Sequence, residues 1–205
     1  MNRSLILVVG LAFTAAPVLG DDAPKLKETV AWLQGLPKLG GGVNKGLDPD
    51  RFKKLTEAEA KALKEITLGG HAFQPDGKLG GHLELKDADY RYLRGLPALE
   101  TLKFPENNLG DEALAQICQI KTLKSLMLME NKITNGGLKH LSSLPALTHL
   151  DLRWNKQLDD TCLPHLVKLT GLKELNVFQT QISAEGVKTL EKALPTCKVI
   201  NTKPQ

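Results

Sequence analysis

Apolar positions in the second half of the chain return at a fixed interval. Leu99 opens the segment LETLKFPENNLGDEALAQI, and Leu123, Leu147 and Leu172 open three more of the same shape, at offsets of 24, 24 and 25 residues. The shared pattern is L-x-x-L-x-L-x-x-N, then an apolar residue two on, then L-x-x-L, with other apolar residues at some leucine positions. In LKSLML the alternation of Leu126 and Leu128 predicts a strand with one buried face. From Thr134 the spacing lengthens to Leu138, Leu141 and Leu144, which predicts a helix burying one stripe. The third unit has an extra residue between Asn155 and Leu163, and CKVI from Cys197 begins a truncated last unit.

A strand–helix unit of this length cannot bury its apolar face alone, so neighbouring units must stack and share one core. The expected fold is an α/β solenoid with a parallel sheet on the concave face and helices on the convex face. Its units are 99–122, 123–146, 147–171, 172–196 and a partial 197–201. The recurrent polar position has a physical cause. Where the chain turns from strand to helix, backbone groups lose their sheet partners, and a side-chain amide supplies both donor and acceptor. Asn107, Asn131 and Asn155 hold this rung and Thr180 replaces it in the fourth unit. Asp111, Asn135, Asp160 and Ser183 stand where helix N-caps are needed. Gly171 is placed to end the third helix, and Pro145 and Pro195 follow others.

Upstream, Asp22 to Gly35 reads as a helix with Leu26, Val30 and Leu33 on one face, and Leu36 to Gly46 as a loop. Thr56 and Glu59 form a capping box ahead of a second helix. Residues 21–62 are therefore expected to cover the first apolar end of the solenoid, whose domain spans 63–201. Leu63 to Leu68 fits a strand and Asp87 to Leu93 a helix. They belong to an irregular first unit, 63–98, with His71 on the rung and an insertion over 74–85. Gly41 and Gly46 have the separation of a phosphate loop, but Leu47 stands where its lysine is required.

These motifs resemble the leucine-rich repeat family from Leu99 to Ile200, reaching back to about Leu63. The unit length is similar to the bacterial repeats related to those of F-box proteins and of the effectors called GALA proteins. The resemblance implies a binding module. Its F-box side implies a rival, a substrate adaptor in ubiquitin transfer or an effector imitating one, though no F-box sequence precedes the repeats.

The first twenty residues change the setting. Arg3 precedes the apolar run Leu5 to Phe13, and Val18 and Gly20 fit cleavage before Asp21. Residues 1–20 are read as a signal peptide, which places the protein in a secreted or periplasmic setting. No later segment reaches the ~20 apolar residues needed to span a bilayer. Leucine fills roughly one position in five while aromatics make up 4%, so one aliphatic side chain builds the core. A net charge of +4 is too small and too dispersed to indicate nucleic acid. A monomer is expected.

Candidate chemistry is sparse. No metalloprotease, nucleophile-elbow or CxxC signature occurs, and neither an enzyme nor a cofactor is expected. The repeated LGGH places His71 and His82 in a conceivable metal pair, the basis of a rival reading as a metal-dependent enzyme. Cys118, Cys162 and Cys197 lie 44 and 35 residues apart, a spacing that suggests free thiols packed as small apolar fillers. His140 and His165 fall on the convex side. With the leucines pointing inward, alternation sends Thr101, Lys103 and Pro105 outward. The next rows are Ser125, Met127 and Met129; His149, Asp151 and Arg153; and Glu174, Asn176 and Phe178, with Trp154 at the rim. Core packing asks for none of Met127, Met129, Trp154 and Phe178 there. The expected site for a protein or peptide partner is therefore Lys103, Met127, Met129, His149, Asp151, Arg153, Trp154, Glu174, Asn176 and Phe178. A structural envelope component without a discrete ligand is the bland alternative.

Overall fold

The computed structural model describes residues 24–35, 54–67 and 85–202. Residues 1–20, read as a signal peptide, the segment after Gly35 read as a loop, His71, His82 and residues 74–84 of the expected insertion lie outside them. Six short strands follow one another in chain order in a single parallel sheet. They are β1 (Glu65–Thr67), β2 (Thr101–Lys103), β3 (Ser125–Met127), β4 (His149–Asp151), β5 (Glu174–Asn176) and β6 (Lys198–Ile200). Parallel neighbours need a crossover between them, and the repeat supplies one per coil. The register pairs Ile66, Leu102, Leu126, Leu150, Leu175 and Val199 in one column across the sheet. The first five are at most 2% exposed, and Phe104, Leu128, Leu152 and Val177 form a second buried column. At about 2 kcal/mol per fully buried leucine, this repetition drives the stacking. The alternation of leucines therefore specifies the α/β leucine-rich solenoid that the chain adopts.

The crossovers differ in kind, and the apolar spacing explains how. Tyr90, Leu93 and Leu96 recur every third residue around the 3₁₀ helix Asp87–Gly95, as Leu138, Leu141 and Leu144 do around Gly137–Ser143. A three-residue turn eclipses such positions, so both stretches bury one narrow stripe. The α-helices α3 (Asp111–Ile117) and α5 (Ala184–Ala193) instead bury residues four apart, Ala113 with Ile117 and Gly186 with Leu190. In the third coil a 3₁₀ turn, Asp160–Cys162, runs into α4 (Leu163–Leu166). That helix ends well before Gly171, so Gly171 sits in the turn leading to β5 and is not a helix terminator.

The helix starts also depart from expectation. Ser183 does cap α5, accepting from Gly186 N at 3.0 Å. Asp111 and Asp160 instead reach across to the next coil. Asp111 accepts from Thr134 N at 2.8 Å and from Thr134 Oγ1 at 2.6 Å, and Asp160 accepts from Ser183 N and Oγ at 2.8 and 2.6 Å. Between those pairs, Asn135 Oδ1 accepts from Asp159 N at 3.1 Å and Asn135 Nδ2 donates to Asp159 Oδ1 at 2.8 Å. Room for the aspartates comes from glycine. A Cβ on Gly137 would lie 2.0 Å from Asp111 Oδ1, and one on Gly186 2.4 Å from Asp160 Oδ1.

At the front, α1 (Leu26–Gly35) and α2 (Glu57–Lys61) put Val30, Leu33 and Ala60 into the same core as the repeats, joined by Leu55 just before α2. Thr56 Oγ1 accepts from Glu59 N, and the Glu59 carboxylate accepts from Thr56 N at 2.9 Å, closing the capping box. Trp32 stacks on Tyr92 with ring centroids 5.3 Å apart, and Thr29 Oγ1 donates to Tyr92 O at 2.8 Å. Cys118 and Cys162 are buried, Cys197 is partly so, and all three are free thiols. Burial pushes the first two up to about 12, which suits apolar fillers. Among the described residues no helix is long and apolar enough to cross a membrane.

Candidate functional site

Strands β2 to β5 each end in a turn that has to reverse the chain toward the convex side, and adjacent residues of that turn do different work. On its inner side, Asn131 Oδ1 accepts from Asn107 N at 3.2 Å and Leu109 N at 2.9 Å, while Nδ2 donates to Phe104 O at 2.6 Å and Met129 O at 3.1 Å. Asn155 repeats the pattern one coil on, accepting from Asn131 N at 2.9 Å and donating to Leu128 O and Leu152 O at 2.9 and 2.7 Å. Each amide thus reaches back one coil, binding neighbours together. Asn107 Nδ2 meets the Tyr90 hydroxyl at 3.4 Å, and Asn107 Oδ1 finds no donor among the described residues. Thr180 is too short to reach back. Its Oγ1 donates to Val177 O at 2.7 Å in its own coil, so Asn155 N turns to Leu152 O at 3.4 Å. The extra residue of the third coil allows Gln157 Nε2 to reach Asn131 O and Ile133 O at 2.9 and 2.8 Å.

Immediately before each rung the backbone is left-handed. Glu106, Glu130, Trp154 and Gln179 have φ of 53°, 53°, 67° and 58°. A side chain in this region costs roughly 1 kcal/mol or more that glycine would avoid, yet none of the four is glycine. The hydrogen bonds Glu106 N to Met129 O, Glu130 N to Arg153 O and Trp154 N to Phe178 O, at 2.9, 3.1 and 2.9 Å, keep the row in register. The four side chains form the rim of an open groove of about 660 Å³, with Met129, Arg153 and Phe178 lining it beside them. Trp154 is 46% exposed, the exposed large hydrophobic of the described chain.

The expected binding residues divide between this groove and the sheet face behind it. Met129, Arg153, Trp154 and Phe178 come together at the groove. Lys103, Met127, Asp151 and Asn176 form one row across β2 to β5, and His149 and Glu174 belong to the row before it. Met127, Met129 and Phe178 are half-buried rather than exposed, and Asn176 is only 8% exposed. Asn176 Oδ1 accepts from Phe178 N at 3.0 Å, so it shapes the turn and offers a partner little surface. Lys103 is paired with Glu65. Arg153 Nε lies 2.9 Å from Asp151 Oδ2, without the alignment of a hydrogen bond, and Arg153 N donates to Asp151 Oδ1 at 3.1 Å. Burial raises the Asp151 carboxyl above its usual range, and the Glu174 carboxylate adds to this while Arg153 opposes it.

Glu106, Glu130 and Gln179 escape a reading by alternation, because the left-handed turn changes which way the chain points once the strand has ended. A signal for them exists: a column without a common residue type, Glu106, Glu130, Trp154 and Gln179, stands beside the asparagine column. His140 and His165 are partly exposed on the convex helices. Among the described residues no group of three or more side chains could hold a metal ion.

The sequence profile of a family described as Leucine Rich repeat matches residues 119–142, 143–161 and 168–190. Human Protein NLRC5 is 33% identical over 122 residues, covering 56% of this chain and 6% of that protein. This chain therefore corresponds to a small part of that relative's length. Among solved structures, an internalin (inlF) of Listeria monocytogenes is 17% identical with a TM-score of 0.44, over 70% of this chain and 42% of its own. A leucine-rich repeat protein of Leptospira interrogans is 21% identical with a TM-score of 0.40, over 70% of this chain and 38% of its own. The three profile matches, set on a parallel sheet that adds one strand per coil, support a leucine-rich repeat family for this chain.

Proposed function

We propose that this protein is an exported binding module that captures a protein or peptide on its open sheet face, with the groove at Trp154 as the anchor, and that it has no catalytic role. One observation carries the reading: a large aromatic side chain stands 46% exposed in a left-handed turn, where neither packing nor backbone geometry calls for it. Aromatic side chains that project into a desolvatable groove are where interfaces concentrate their energy. The repeat architecture supports such a role, since stacked coils present a broad surface whose side chains vary while the core does not. Export rests on Arg3, the apolar run Leu5 to Phe13 and the small residues before Asp21.

Selection of random heptapeptides displayed on phage against the full chain tests binding. Enriched peptides are expected to lose at least tenfold in affinity on W154A while circular dichroism stays unchanged. Peptides that bind W154A as well as the wild type would contradict the reading. For export, mass spectrometry of the protein recovered outside the cytoplasm is expected to find Asp21 at its N-terminus, and an intracellular product beginning at Met1 would oppose it.

A further inference from the structure

The groove's charge and geometry narrow the kind of partner, an inference that rests on the binding reading above. Glu130 and Trp154 are adjacent members of the left-handed row, one coil apart, and neighbouring strands of a sheet are about 4.8 Å apart. A cation seated between them would lie within the ~6 Å over which an aromatic face attracts it, and within reach of a charge-assisted hydrogen bond to the carboxylate. Glu130 is exposed and has no ion pair or hydrogen bond among the described residues beyond its backbone. Glu106 also lines the groove but is engaged within the protein, so Glu130 is the carboxylate open to a ligand. The cation of the lining, Arg153, is already held by Asp151, so it has little to offer an anionic ligand. Beyond Trp154, Phe178 and Met129 supply apolar surface. Four coils at that strand spacing put the ends of the row roughly 14 Å apart, the reach of about four extended residues.

We infer that the groove takes an extended peptide segment carrying an arginine or lysine beside an apolar residue. The cation sits on the Trp154 ring next to Glu130, its methylene stem runs along Met129, and the apolar neighbour covers Phe178. Long basic side chains suit such a seat because their stems bury well while their heads stay charged. An acidic segment meets the Glu130 carboxylate there and is repelled.

Heptapeptide selection run in parallel on the full-length wild type and on E130K tests this. The wild type is expected to enrich arginine or lysine next to an apolar residue at least threefold above the library frequency. E130K, which keeps the turn and reverses the charge, is expected to lose that enrichment and to favour aspartate or glutamate. Binders that depend on Trp154 but are neutral or acidic would overturn the inference and leave the binding reading intact, as would an unchanged basic motif on E130K. Failure to obtain any Trp154-dependent binder would overturn both.

Discussion

Two positions side by side in three successive coils have opposite characters. On the inner side of the strand-end turn stand Asn107, Asn131 and Asn155, all at most 8% exposed; the amides of Asn131 and Asn155 bond to backbone, and that of Asn107 meets the Tyr90 hydroxyl. Asn131 and Asn155 reach the preceding coil. One residue earlier stand Glu106, Glu130 and Trp154, two carboxylates and an aromatic, lining the groove. Both positions belong to the same turn, yet only one is filled by what the backbone demands. The inner position must supply a donor and an acceptor inside the core, and few side chains can. The rim position would be most comfortable as glycine and is never glycine. A position that repeats with its bonds to backbone is serving the stack, and a position kept non-glycine against its own conformational preference is the one to test for a role outside it.

The sharpest way to break that contrast is N131A. It strands Asn107 N, Leu109 N and Phe104 O in the buried turn, and at ~1–3 kcal/mol per unsatisfied buried group the loss is expected to reach about 4 kcal/mol in urea unfolding. E130A, one residue away, is expected to stay within about 0.5 kcal/mol of wild type. A loss under about 1 kcal/mol for N131A would deny the asparagine its role. Next in size is G137A, whose new methyl group overlaps the Asp111 carboxylate. Overpacking of this kind costs about 2 kcal/mol. The double variant D111A/G137A should cost clearly less than the sum of its parts, because the clash and the bond share one carboxylate. Additive costs would mean that Gly137 serves some other purpose. F178A, half-buried, is expected to cost about 1.5 kcal/mol by the loss of buried apolar area, and W154A about 0.5 kcal/mol or less. Both would weaken peptide capture, so stability and binding should rank the two variants differently.

How far these features could be read from the chain follows the same division. The leucine column was fully legible, since Leu102, Leu126, Leu150 and Leu175 repeat in sequence and are neighbours in the sheet. The kind of crossover was legible in part. Leucines three apart at 138, 141 and 144 carry the 3₁₀ period, though the same spacing also fits one stripe of an α-helix. The aspartates at 111 and 160 look like caps because a cap and a bond to the next coil ask for the same residue at nearly the same place. What separates them is a glycine about two dozen residues later, Gly137 or Gly186, which local reading does not consult. The candidate site was half legible. Alternation finds Met129, Arg153 and Phe178, but it has no rule for Glu106, Glu130 and Gln179, where the strand has ended and the chain turns left-handed.

The claim that rim side chains are kept for a partner and not for the fold is tested most directly by the urea midpoint of a triple glycine variant, Glu130→Gly, Trp154→Gly and Gln179→Gly. All three side chains are exposed, and relief of the left-handed backbone offsets the added freedom of the unfolded chain. The midpoint is expected to equal or exceed that of the wild type. A fall equivalent to more than about 2 kcal/mol would show that the rim holds the solenoid together, and would contradict the account.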